Sequence, residues 1–161
     1  MDKMTNNNAS EQNSHRIGAF LIVMHLAGAI GLNLESTSDL FRSLVPLNLL
    51  ATAVLLFSQH KVFNKTFVLW MLSVFGFGML IEIIGVQTGL VFGGYTYGKT
   101  LGIKCMGVPF SIGLNWLVLI YSVGVITHQL HSSCIMQCII GAAMLLLLDY
   151  YIEPVAMKLD F

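Results

Sequence analysis

Apolar residues fall along this chain in five long runs separated by polar interruptions: residues 17–34, 41–59, 66–87, 108–127 and 132–152. Each run approaches the roughly 20 residues that a helix needs to cross a bilayer. Backbone polar groups cannot go unpaired in lipid, and no run alternates as a strand would, so each is expected to be helical. The fold class that follows is all-α, a polytopic transmembrane helix bundle with about five spanning helices. Residues 1–16 are polar and Asn-rich and are expected to be disordered. They lack the charged, then apolar, then small-residue order of a cleaved signal, so the first run is expected to remain as a helix. Residues 17–161 read as one transmembrane helical domain without an internal repeat.

Three connections are short, at residues 35–40, 60–65 and 128–131, while residues 88–107 form a longer one. Short connections make neighbouring helices antiparallel, so the polar residues can be sorted by depth. Asn33 and Glu35 end the first helix and Asn48 lies near the start of the second. Glu82 and Gln87 lie near the end of the third. Ser111, Asn115 and Trp116 open the fourth, and Asp149 and Glu153 close the fifth. All fall in one leaflet, beside the long Gly- and Tyr-containing connection. That connection reads either as an ordered, partly re-entrant cap or as an ordinary interfacial loop.

An ionisable group inside a spanning segment costs roughly 2.5–3.5 kcal/mol on insertion scales and normally faces a cavity or a partner. Glu82, more than one turn inside its helix, is the strongest candidate for a chemical role; a hydrogen-bonded link between helices is the alternative. Asp149 and Glu153, four residues apart, share one helix face, although either could simply reach interfacial water. Pro154 is expected to end or kink the helix at Glu153. His128, His131, Cys134 and Cys138 have a loose metal-ligand spacing, but no carboxylate accompanies them, so no metal site is assigned. His25 reads as a packing residue, and Ala27, Gly31, Gly78 and Gly85 as positions of close helix contact.

Composition narrows the function classes. Apolar residues make up 56% of the chain and charged residues only 10%, too few to cover a water-soluble surface. Lys plus Arg and Asp plus Glu number 8 each, which argues against a nucleic-acid partner and leaves membrane lipids as the surroundings. The basic residues divide evenly between the two sides of the membrane, so charge does not set the orientation. Three cysteines form no disulfide framework. No phosphate-cradling or dinucleotide-binding loop is present, and the site is read as cofactor-free.

Two segments carry a resemblance: GVQTGLVFGGYTYGKTLGIKCMGVPFSIGLNWLVLIY and LLLLDYYIEPVAMKLDF. They resemble the bacterial and archaeal carotenoid biosynthesis membrane-protein family over residues 81–121 and 145–161. The Gly-Tyr-x-Tyr-Gly stretch with the Gly-Val-Pro and Asn-Trp that follow, and Asp-x-x-x-Glu-Pro-Val-Ala, are its most specific parts. The family includes carotenoid 1,2-hydratases acting on γ-carotene, lycopene or bisanhydrobacterioruberin. Its members usually continue beyond the equivalent of Asp160 and Phe161 into a Trp-rich loop and further helices, so the resemblance implies a C-terminally truncated chain.

The resemblance also implies a reaction: acid protonation of a terminal double bond of a linear or monocyclic carotenoid, followed by water addition. Under it, Glu82 is expected to donate the proton, and Asp149 and Glu153 to stabilise the cation or position water. Tyr95, Tyr97, Asn115 and Trp116 are expected to line the end-group pocket. The expected location is the bacterial inner membrane. The competing readings are another polyene-modifying enzyme, such as an isomerase or cyclase, and a non-catalytic carotenoid-binding or small transport protein. A transporter would be expected to hold its ionisable groups near the midplane, which the one-sided distribution disfavours.

Overall fold

A computed structural model of the chain describes residues 2–130, 133–159 and 161, with side chains described from Glu11 onward. Five helices dominate it: α1 (Asp2–Asn33), α2 (Ser38–Ser58), α3 (Lys65–Thr88), α4 (Phe110–Leu130) and α5 (Cys134–Lys158). All five are long and apolar enough to cross a membrane, so the molecule is an all-α membrane protein. Helix α1 begins at Asp2, inside the stretch expected to be disordered, and its membrane-length part is Glu11–Asn33. The other boundaries lie within a few residues of the apolar runs, except at the end of α5.

That end is a correction. Helix α5 continues through Pro154 to Lys158 instead of stopping at Glu153. A proline removes one backbone donor. The turn beyond it still closes, with the Leu159 N–H donating to Val155 O at 3.1 Å.

The chain divides into two compact units, residues 1–61 and 62–161. In the first, α2 packs on α1. The ring of Phe41 sits so close to Gly31 that a Cβ there would lie 2.2 Å from it, which explains the small residue. Six residues before Gly31 on α1, His25 is exposed, with Nδ1 2.8 Å from Leu21 O and Nε2 3.5 Å from Thr52 Oγ1.

In the second unit α3 packs on α4, and α4 on α5. Two glycines set the α3–α4 approach. A Cβ on Gly78 would lie 2.8 Å from Trp116, and one on Gly113 would lie 2.7 Å from Met79. Between α3 and α4 the connection folds into a small antiparallel hairpin, β1 (Lys104–Cys105) with β2 (Val108–Pro109). Alternation in the sequence did not predict these strands, because each is only two residues long. Their turn residues, Met106 at φ 49° and Gly107 at φ 88°, are both left-handed, as a two-residue hairpin turn of matching twist requires.

Candidate functional site

The site begins with a helix end. Helix α3 stops at Thr88 because Gly89 takes φ 67° and returns its N–H to Gly85 O at 2.8 Å. The chain then turns back over the last turns of α3. Gly85, one turn beyond Glu82, makes room: a Cβ there would lie 3.0 Å from the hydroxyl of Tyr95. Gly85 thus admits the connection, where a contact with another helix had been expected.

Three donors converge on the Glu82 carboxyl, which is only 7% exposed. The hydroxyls of Tyr95 and Tyr97 donate to Oε2 at 2.5 and 2.7 Å, and the indole Nε1–H of Trp116 donates to Oε1 at 2.9 Å. The two tyrosine rings meet edge to face at 5.5 Å, and Phe92 packs on Tyr95 at 6.2 Å. Burial, and then the hydrogen bond to Glu82 and its negative charge, push both phenols well above the usual tyrosine range. The phenols therefore stay protonated, and both donate to the Glu82 carboxylate in this arrangement.

The connection that carries the tyrosines is fastened at several points. Lys104 Nζ donates to Tyr97 O. Gln87 Nε2 donates to Met106 O at 3.0 Å, Ser111 Oγ to Leu101 O at 2.8 Å, and the Phe110 N–H to Ile103 O at 3.0 Å. Val108 at its base is fully buried. This is an ordered cap. Gln87 and Ser111 were singled out by depth alone, whereas Lys104 was counted only as a charge. A lysine bonded to a backbone carbonyl leaves no periodic signal in sequence.

Of the expected site residues, the structure brings together Glu82, Tyr95, Tyr97 and Trp116. Asn115 precedes Trp116 on α4 and is half-buried, with no hydrogen bond to this group among the described residues. Asp149 and Glu153 lie elsewhere, exposed on the C-terminal half of α5. There they border a shallow groove with Leu146, Leu147 and Tyr150. Sorting by depth could not fix their direction around the helix. His131, one of the His and Cys set, lies outside the described residues.

Chemically, the arrangement fixes one carboxyl among three donors and three aromatic rings. Carboxyl and phenols can share and pass a proton, and the ring faces can stabilise a passing cation. No curated protein and no solved structure matches the sequence significantly. Residues 43–161, most of the chain and the whole of this site, match the family described as carotenoid biosynthesis protein. The chain belongs to the carotenoid biosynthesis protein family.

Proposed function

We propose that this chain hydrates a terminal double bond of a linear or monocyclic carotenoid in the bacterial inner membrane. One observation supports it most: a buried carboxyl bonded by Tyr95, Tyr97 and Trp116 in a chain whose family makes carotenoids. In this reading Glu82 first takes up a proton from water, and one phenol rotates from donating to it to accepting from it. The proton goes to the less substituted alkene carbon, whose π electrons form the new C–H bond and leave a tertiary cation on the neighbouring carbon. The faces of Trp116 and the tyrosines stabilise that cation. Water adds to it, and the oxonium proton returns to Glu82. One alkene and one water give one tertiary alcohol, and the acid is regenerated.

Asp149 and Glu153 stand apart from this group, and the reading routes no step through them. The test is pigment analysis in a host that makes lycopene or γ-carotene and expresses the chain. Glu82→Gln is expected to lower hydroxylated product by about 10²–10⁴-fold, the usual worth of a general acid. Asp149→Asn with Glu153→Gln is expected to lower it far less. Full product from Glu82→Gln sinks the acid role.

A non-catalytic carotenoid-binding role is the second reading, favoured by the inward saturation of Glu82, since the same three bonds could serve only to hold the cap. Pigment that co-purifies unchanged with the wild-type chain is the result that selects it.

A further inference from the structure

The Glu82 carboxyl is covered. It is 7% exposed and carries three hydrogen bonds, so a substrate reaches it only after one of the covering side chains moves. The three are not held alike. Trp116 is wedged against α3, where a Cβ on Gly78 would lie 2.8 Å from it. Tyr97 is held through its backbone, because Lys104 Nζ donates to Tyr97 O and Lys104 belongs to the β1–β2 hairpin. That half of the cap is tied down in turn by Gln87, Ser111 and the buried Val108.

Tyr95 has no such support. Among the described residues, its hydroxyl makes the only hydrogen bond from residues 91–96 to a helix. Otherwise the stretch rests by contact. Phe92 packs on Tyr95 at 6.2 Å, and both side chains lie against Gly85, whose added Cβ would come within 3.0 Å of each. Gly89 and Gly93, at φ 67° and 81°, and Gly94, with open space around it, give the backbone there the freedom to swing. Leu90, Val91 and Phe92 are apolar and exposed just where α3 leaves its span, Leu90 by 86%, so the tip of the stretch suits lipid.

We propose that residues 90–96 form a lid over Glu82, latched by Tyr95, that opens sideways to admit a substrate dissolved in the bilayer. The inference rests on the reading of Glu82 as the reacting acid, since a carboxyl that only holds the cap has no need to be uncovered. When the lid swings, Tyr97 and Trp116 stay, so the acid keeps one donor on each oxygen while the Tyr95 side of Oε2 opens. Protonation at Oε2 leaves that oxygen a poor acceptor for two phenols at once. One phenol must then turn or leave, and Tyr95 is the one whose backbone can follow.

Carbodiimide modification of Glu82 tests the lid. The reagent adds a carboxylic acid across its C=N bond and rearranges to an N-acylurea on the side chain, which peptide mass spectrometry locates. The full chain in phospholipid bilayers is treated with apolar dicyclohexylcarbodiimide or with a water-soluble, cationic carbodiimide. Asp149 and Glu153, exposed on α5, give the rate at uncovered carboxyls in the same sample. Tyr95→Phe is expected to speed apolar labelling of Glu82 roughly tenfold, the worth of one charge-assisted hydrogen bond in the opening equilibrium. Gly85→Ala lifts Phe92 and Tyr95 without removing a donor. It is expected to act in the same direction and serves if Tyr95→Phe fails to fold. Tyr97→Phe removes a bond to the same oxygen and is expected to change the rate far less. No variant is expected to speed labelling by the water-soluble reagent to the same degree.

Tyr97→Phe matching Tyr95→Phe overturns the proposal, as does a Glu82 rate that neither Tyr95→Phe nor Gly85→Ala alters. An equal gain with the water-soluble reagent overturns the sideways route. If labelling follows the lid pattern while Glu82→Gln leaves the pigment product unchanged, the lid stands and hydration falls. If the product needs Glu82 while labelling is the same in every variant, hydration stands and the lid falls.

Discussion

Gly78 and Trp116 meet so closely that the smallest added side chain has nowhere to go. Gly78→Ala is expected to cost about 1–3 kcal/mol, as overpacking does, and to loosen the Trp116 bond to Glu82. Thermal unfolding in detergent measures this. Gly76→Ala is the control, because a Cβ there meets nothing within 4 Å, and it is expected to leave the melting temperature unchanged or higher. The tyrosines give a pH prediction. Both phenols titrate higher in the folded chain than in the unfolded one, where the pKa is about 10. Above that value the unfolded chain loses protons that the folded chain keeps, so stability is full below it and falls as pH rises toward the raised folded values. Alkaline unfolding of the Tyr95→Phe, Tyr97→Phe double variant should show a shallower decline than wild type. At this scale the sequence named Glu82, both tyrosines and Trp116 because depth, residue type and family likeness agreed. It could not show that all four touch, since that depends on a glycine-permitted fold-back between residues 85 and 95.

The helices were legible in the apolar runs because lipid leaves a spanning segment no other backbone structure. Their ends are set by local chemistry. Asn64 caps α3 by accepting the Phe67 N–H at 2.8 Å. Asn64→Ala is expected to cost about 1 kcal/mol, read as a lower unfolding midpoint with pigment chemistry unchanged. The cap between α3 and α4 was legible only as a glycine- and tyrosine-rich connection. Its order comes from single bonds made by Gln87, Lys104 and Ser111, and from a hairpin too short for any period to show. Helix α5 makes the complementary point. A proline rule about the preceding residue is weaker than a run of helical hydrogen bonds continuing on either side.

Across the second unit as a whole, antiparallel helices put the two ends of the α3–α4 pair on opposite sides of the membrane. Cys105 lies in the cap and Cys134 opens α5, so the two thiols are expected to face opposite compartments. In sealed vesicles an impermeant maleimide is expected to label one and spare the other, with the pattern reversing in inverted vesicles; Cys138→Ser removes the third thiol. Equal labelling of both from one side contradicts the alternation. Sequence order carried this much of the architecture, while the azimuth of Asp149 and Glu153 depended on packing that no single helix specifies. The bonding of Glu82 also bears on how the chain is made. Tyr95 and Tyr97 follow it by 13 and 15 residues and Trp116 by 34, so the acid leaves the ribosome ahead of all three of its donors. Helix α3 must partition into lipid with that carboxyl unsupported, and it is the most apolar of the five spans. Its surplus of hydrocarbon offsets an insertion cost of roughly 2.5–3.5 kcal/mol during biogenesis, so substitutions that make α3 more polar should fail first at translocation, ahead of any loss in chemistry.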